Sequence, residues 1–476
     1  MASAMSNARW LTLSQMVRIA LQMVSIFILS RLLAPSEYGL LAMATVAVNF
    51  ASLLRDMGTG AAVIQKETLT RETTNTVFWL NIGLGVSIAV ILVAISPMVE
   101  DYFRTPHLAP VLCLMALSFP LTSSCAVHSA LLERESSFRT LARIEIVSAS
   151  VALVTAITLA FTGFGVYSLV WQTLVSAMLS ALQLWLSSGW RPEKIWSRSE
   201  FRGLWRFSGN LTGFSFVNFF ARNADSMVIG RILGAIPLGI YAQAYKVMMF
   251  PLQSMSYVAN RALFPVMSRQ QGQRAEMARL YFRSLRLIAT VTAPMMAGLW
   301  LLREPFVRVA LGPQWQSVPI ILAWLAPVGF LQSVISTTGA VFMATGRTDL
   351  MMRLGALGAV LQVGSFFIGV HWGIEGVAIC YLVANILNAI PHFYFATREL
   401  HSNLLGLLRA LWQPVVFSLV MLGLLAPLLQ WMRSDQFAPQ AVLFGLAAFG
   451  AVVFAGLTLL FSRELVLDMK KMVGRA

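Results

Sequence analysis

Ser30-Arg31-Leu32-Leu33, followed by Gly39-Leu40, is answered 200 residues later by Gly230-Arg231-Ile232-Leu233 and Gly239-Ile240. The same offset, without a gap, pairs Leu11-Thr12 with Leu211-Thr212, Ala42 with Ala242 and Phe50 with Phe250. Apolar residues coincide easily in a hydrophobic chain, but an arginine and a glycine at fixed register do not, so the match reads as an internal repeat.

What lies around each copy sets the class. Hydrophobic residues make up 58% of the 476 residues and charged ones 12%, and the mean hydropathy is +0.73. A soluble domain is roughly 45–50% apolar and about 25% charged. Apolar runs long enough to span a bilayer, about 20 residues each, recur along the whole chain, about 14 in all. Six cover 10–33, 39–64, 77–99, 108–132, 144–161 and 166–186. After a basic connector at 190–206, six more cover 208–233, 238–264, 285–302, 318–344, 354–370 and 376–396, and a final pair covers 411–431 and 441–461. The expected fold is an all-α polytopic membrane protein. The offset steps over an even number of spans, so both copies enter the membrane in the same direction. Parallel repeats of this kind are related by an axis along the membrane normal, with substrate sites between the halves. The expected organisation is an N-terminal six-helix bundle (1–190), a basic connector (191–206), a second six-helix bundle (207–400), and a terminal helix pair with its tail (401–476).

The net charge of +15 belongs to the loops. With the N-terminus inside, about 25 of the 35 Lys and Arg residues fall on the cytoplasmic side, as the positive-inside rule requires. They include Arg134, Arg139, Arg143, Arg274, Arg279, Arg283, Lys470 and Lys471, whereas the loop at Glu100-Asp101 is acidic and lies outside. Both termini are therefore predicted to be cytoplasmic. No basic stretch interleaved with aromatics stands apart from the apolar runs, which argues against a nucleic-acid partner. Cys113, Cys125 and Cys380 all fall inside apolar runs without a CxxC or Cys/His cluster, so no metal site, cofactor or disulfide framework is expected. The first run contains Arg18 and is followed by Arg31 with no small-residue cleavage site, so it reads as a retained helix. No DxD motif and no long outside loop exists to hold a catalytic pocket, so no catalytic residue is assigned and a membrane-embedded biosynthetic enzyme is the disfavoured alternative.

Polar stripes mark the candidate site. Gln15, Arg18, Gln22 and Ser25 recur at spacings that place them on one helical face, and Ser215, Asn218, Arg222 and Asp225 repeat the pattern at the 200-residue offset. A charge at membrane depth costs about 2.5 kcal/mol or more, so such stripes face protein or a water-filled cavity. Arg222 and Asp225, at i and i+3, are spaced to pair. Lys246 lies well inside the next run, followed by Gln253, Tyr257 and Asn260 at near-helical spacing. Arg55-Asp56-Met57-Gly58 reads as a glycine-weakened helix end with locally satisfied charges. Cations outnumber acids in these positions, and Arg and Lys are the usual partners of phosphate. An anionic cargo is expected, and an exporter of cationic drugs would show the reverse balance.

The segment from Arg222-Asn223-Ala224-Asp225 through Gly230-Arg231, Leu238-Gly239-Ile240-Tyr241 and Ala242-Gln243-Ala244-Tyr245 to Phe264-Pro265-Val266-Met267-Ser268-Arg269 resembles a signature of polysaccharide-transport flippases. Arg31-Leu32-Leu33-Ala34-Pro35-Ser36-Glu37-Tyr38-Gly39 and Asp56-Met57-Gly58 match it too. The chain is thus similar, over essentially its whole length, to the Wzx-type, colanic-acid-exporter-like branch of the multidrug/oligosaccharidyl-lipid/polysaccharide exporter superfamily. The resemblance implies two six-helix bundles around a central cavity plus a final helix pair. It implies flipping of undecaprenyl-diphosphate-linked oligosaccharide across the bacterial inner membrane by alternating access, coupled to an ion gradient, beside other polysaccharide-assembly proteins. On that reading Arg18, Arg222, Lys246, Gln15, Gln22 and Asn218 contact phosphate and sugar, and Asp225 and Asp56 couple the ion. A multidrug antiporter of the same superfamily is the alternative.

The topology is testable. With the native cysteines replaced by alanine, Asp101→Cys should react with a membrane-impermeant maleimide in intact cells, and Arg279→Cys only after permeabilisation.

Overall fold

In the computed structural model the described residues are 2–55, 63–64, 66, 68–198, 200–201, 219–220, 222–270, 272–434 and 437–462. Among them the secondary structure is helical throughout, without a strand. Asp56, Ser215, Asn218, Lys470 and Lys471 lie outside the described residues, as do the side chains of Gln253, Tyr257 and Asn260. Eleven stretches are long and apolar enough to cross a membrane. One of them, Thr348–Glu399, is itself a pair of helices joined at Val370–Trp372.

The helices form two compact units, divided between Gly239 and Ile240. Unit 1 contains α1 (Ala2–Leu32), α2 (Pro35–Arg55), α3 (Arg71–Phe103), α4 (Leu108–Ala116), α5 (Ser118–Arg134), α6 (Phe138–Phe161) and α7 (Val166–Ser187). It also holds a helix over 222–233, α8, and the first turn of α9 (Ala235–Ser268). The predicted span at 108–132 is two helices, α4 and α5, broken at Leu117.

Local chemistry explains these boundaries. Pro35 opens α2, where a missing N–H costs nothing. Glu37 reaches back so that its Oε2 accepts from the Ala34 amide at 2.7 Å, the reciprocal half of a capping box. Thr70 caps α3 by accepting from the Thr73 amide at 3.2 Å. Along α6 the small residues Ser148, Ala152, Ala156 and Ala160 are buried at i+4 spacing, while Val147, Val151 and Val154 are exposed. Lipid is as apolar as a leucine side chain, so helices associate here through close packing of small residues, with the large apolar ones left to the bilayer. Accordingly α6 packs on α1 and α7, and Gln183 of α7 donates to Ser148 Oγ at 2.9 Å.

The connector after α7 is strapped onto the start of α3. The Glu193 amide donates to Asn75 Oδ1 at 2.5 Å, the Ser197 amide to Thr76 Oγ1 at 3.0 Å, and Trp79 Nε1 to the Glu193 carbonyl at 2.9 Å. Lys66 Nζ closes the strap with a 2.7 Å ion pair to Glu200. These contacts satisfy backbone groups that a free loop would leave to water. Beneath the strap, His128 is fully buried against Trp185, with ring centroids 4.6 Å apart, and beside Phe78 and Trp190.

The tightest packing in unit 1 joins repeat-equivalent positions. A Cβ added at Gly39 would lie 1.8 Å from the Ala235 carbonyl oxygen, and one added at Gly239 would lie 1.9 Å from the Pro35 carbonyl oxygen. Residues 35 and 235, like 39 and 239, are separated by the 200-residue offset. The crossing is therefore reciprocal: each helix start presents its glycine to the backbone of the other.

Unit 2 continues α9 and adds α10 (Arg274–Leu301), α11 (Arg303–Ala310), α12 (Val318–Ile335), α13 (Thr338–Ala344), α14 (Thr348–Gly369), α15 (Gly373–Glu399), α16 (Leu404–Ser434) and α17 (Pro439–Phe461). Tyr281, Leu285, Phe342, Leu354 and Ala396 make one core. The terminal pair α16 and α17 makes a second, where Phe417, Met421, Leu425, Leu446 and Phe454 meet Leu302. Prolines lie inside α10, α12, α15 and α16, which neighbouring helices tolerate in a membrane protein.

Gly39→Ala and Gly239→Ala should each destabilise the protein by about 1–3 kcal/mol, since the added methyl overpacks a backbone contact. Gly355→Ala, where a Cβ meets nothing within 4 Å, should not. Thermal unfolding in detergent checks all three.

Candidate functional site

In unit 1 the α1 stripe is tied to α6. Arg18 Nη2 donates to Gln15 Oε1 at 2.5 Å, and Nη1 lies 3.4 Å from Glu145 Oε1. Both charged side chains are about half exposed, at 55% and 44%. Gln22 and Ser25, further along α1, are half-buried. Glu145 sits seven residues into α6, about 10 Å from its start. Sequence reasoning missed it because the apolar run begins only at Ile144, which makes Glu145 look like a loop edge. The acid offsets part of the positive balance read from the sequence. Arg55 is satisfied locally, as expected: Nη1 donates to Thr122 Oγ1 at 2.6 Å and the guanidinium lies 5.8 Å from the Phe119 ring centre.

On α8 the two charges part company. Arg222 is exposed and Asp225 is buried, with 8% of its surface accessible. Asp225 Oδ1 accepts from the Ser226 amide at 2.6 Å. Among the described residues no ion pair joins Arg222 to Asp225, contrary to their spacing. The spacing permits a pair, but the burial of Asp225 and the exposure of Arg222 separate the two. Arg222 stands eleven residues before the end of α8 at residue 233, about 16 Å along the axis.

In unit 2 Lys246 is exposed and lies eleven residues into α9, about 16 Å from its start. The helix begins three residues before the predicted span, so Lys246 sits deeper than its sequence position suggested. A hydrocarbon core is about 30 Å thick. An ammonium near its middle takes a protein group or water beside it rather than lipid.

A polar seam in unit 2, between α12 and α15, has no counterpart in the sequence reading. Gln332 Nε2 donates to Tyr381 Oη at 2.6 Å and to Asn385 Oδ1 at 3.2 Å. On one side of this centre Trp324 Nε1 donates to Glu375 Oε1 at 3.2 Å, and on the other Thr338 Oγ1 lies 3.0 Å from His392 Nδ1. Tyr245 of α9 lies over Tyr381, with ring centroids 6.4 Å apart. The signal was present: Tyr381, Asn385, Asn388 and His392 follow the 4-3-4 spacing of one helical face. They carry no formal charge, so a search led by charge passes over them. Among the described residues no group of His, Cys, Asp and Glu is arranged to hold a metal ion.

Comparison with known proteins bears on this arrangement. A family profile described as "Polysaccharide biosynthesis protein" matches residues 28–319. The "Succinoglycan biosynthesis transport protein ExoT" of Rhizobium meliloti (strain 1021) is 28% identical over 473 residues, covering 98% of this chain and 95% of that one. The "Lipopolysaccharide biosynthesis protein WzxC" of Escherichia coli (strain K12) is 27% identical over 426 residues, covering 87% and 85%. Among solved structures, "Lipid II flippase MurJ, inward closed conformation" superposes with a TM-score of 0.76 over 96% of this chain and 99% of that one, at 14% identity. The likeness to it is one of fold.

The seam makes a quantitative expectation. A double-mutant cycle with Gln332→Leu and Asn385→Leu should give a coupling energy of about 0.6–1.7 kcal/mol, the range for hydrogen bonds between membrane helices, measured by unfolding in mixed micelles.

Proposed function

The chain belongs to the polysaccharide biosynthesis protein family, and from that premise we propose that it flips undecaprenyl-diphosphate-linked oligosaccharide from the cytoplasmic to the outer leaflet of the bacterial inner membrane. The observation that carries this reading is the end-to-end match to a protein named as a transport protein of polysaccharide biosynthesis. The resemblance drawn from residues 222–269 and 31–39 led to the same family.

The physical task is to move a diphosphate and its sugars through a layer where each bare charge is costly, while the lipid tail stays in hydrocarbon. Cationic side chains at depth reduce that cost by pairing with phosphate oxygens. Arg222 and Lys246, both exposed at depth, are the groups proposed to do so, with Arg18, Gln15, Gln22 and Asn218 completing the polar path. Arg18 shares its charge with Glu145 and is the weaker partner. Asp225, buried one turn beyond Arg222 on the same helix, is proposed to exchange a proton or sodium ion, with Asp56 as a second coupling group. The bundles at 1–190 and 207–400 alternate access between the two sides, both termini stay cytoplasmic, and the delivered unit passes to other assembly proteins.

In a host lacking its own flippase for a defined surface polysaccharide, the wild-type protein should restore export across a panel of sugars that includes its cognate unit. Arg222→Ala and Asp225→Asn should insert normally, accumulate lipid-linked precursor, and lower export about tenfold or more, equivalent to about 1.4 kcal/mol in barrier. Normal export by both variants would make them packing residues.

A further inference from the structure

An apolar cleft of about 440 Å3 opens in unit 1 between α2, α3, residues 219–220 and α8. It falls within the range of about 300–1,000 Å3 usual for ligand sites. Among the described lining residues none is charged, and the one polar side-chain group is the Tyr102 hydroxyl. Phe50, Tyr102, Phe103, Phe219 and Phe220 supply five rings. The cleft is open along one side, where Ile91 and Met98 are 56% and 70% exposed. In a membrane-spanning unit such an opening admits hydrocarbon.

Two features select the occupant. The first is length. The α3 wall runs from Ile88 to Phe103, about 22 Å at 1.5 Å per residue. One leaflet of the hydrocarbon core is about 15 Å deep, so the wall gives a hydrocarbon chain an extended seat along its whole length, and the choice between an isoprenoid and an acyl chain falls to the headgroup and to the flippase reading. The second is charge. At the Tyr102 end the Arg231 guanidinium lies 5.5 Å from the Tyr102 ring centre. Gly230 permits this approach, since a Cβ there would come within 2.9 Å of the Phe103 ring. Glu100, on the same end of α3, is engaged with the Ala109 amide at 2.7 Å. A long apolar trough with a cation at one mouth complements a long chain with an anionic head.

We propose that this cleft seats the polyprenyl chain of a phosphate-headed lipid, with the phosphate at Arg231. The described lining does not include Arg222, and the site rests on the flippase reading: it holds the carrier lipid by its tail while the head stands at the Arg231 end of the membrane. Aromatic faces suit the methyl-branched, unsaturated chain.

The test is photo-crosslinking in phosphatidylcholine nanodiscs with three diazirine probes: a polyprenyl diphosphate, the matching polyprenol, and phosphatidylcholine itself. The polyprenyl diphosphate should label peptides spanning 46–54 and 88–103. Ala47→Trp, which fills the cleft, should lower that labelling about tenfold, equivalent to about 1.4 kcal/mol. Met98→Trp, at an exposed lining position that disturbs no packing, should act the same way and keeps the test valid if Ala47→Trp does not fold. Val90→Trp, exposed on α3 away from the cleft, should have no effect. Arg231→Gln should weaken capture of the diphosphate but not of the polyprenol. Equal labelling by phosphatidylcholine, labelling that maps elsewhere, or indifference to both filling variants would overturn the site. Failures of the two proposals are distinguishable: export without cleft labelling removes the site alone, and cleft labelling without export for any sugar in the panel removes the flippase reading alone.

Discussion

The contact on which unit 1 depends is the reciprocal crossing of Gly39 with Ala235 and Gly239 with Pro35. In a bilayer the hydrophobic effect does not hold helices together, because lipid solvates an apolar face as well as another helix does. Association must come from dispersion at close range and from polar contacts. A backbone-to-backbone approach is the closest available, and here it exists because a glycine leaves no Cβ between itself and the carbonyl it meets. That requirement puts glycine at the same position, 39 and 239, in both repeat copies. It also places the start of α2 against the start of α9, and the rest of α2 then forms one wall of the apolar cleft.

The polar groups within the membrane sort by what satisfies them. Arg55, His128 and the strap over α3 are packing features: their partners are neighbours on adjoining helices or aromatic faces, and their removal would be felt as stability. The α12–α15 seam belongs with them in geometry, since Gln332, Tyr381 and Asn385 satisfy one another. Arg222 and Lys246 differ in being accessible at depth. That exposure is what recommends them as the proposed phosphate contacts. Arg18 falls between the two classes, half exposed and shared with Glu145.

Unit 1 offers two chemically opposite surfaces, and a lipid-linked sugar is itself divided in this way. The exposed cation on α8 and the polar face of α1 suit a hydrated anionic head. The cleft of α2, α3 and α8 suits a hydrocarbon chain. Arg231, which enters the sequence argument as a repeat marker and within the family signature, stands at the mouth of that cleft, so the same register that reveals the duplication also supplies a candidate headgroup contact.

The amino-acid sequence alone determined the fold class, the placing of the spans, the parallel repeat and the family. Hydropathy over about 20 residues and a fixed 200-residue register are properties of the chain read in one dimension. The exposed Arg222, the buried Asp225 and the deep Lys246 were nameable from spacing and span depth. Which neighbour each would meet was not. Tertiary structure alone decided that Arg18 turns to Glu145, that Arg222 and Asp225 do not pair, that Gln332 joins Tyr381 and Asn385 across two helices, and that apolar residues of α2, α3 and α8 leave a cleft instead of closing on one another. Helical periodicity fixes the face a side chain occupies, but partners from residues scores to over a hundred positions away are set by how helices cross, and the crossings depend on small-residue contacts whose counterpart a linear sequence does not display.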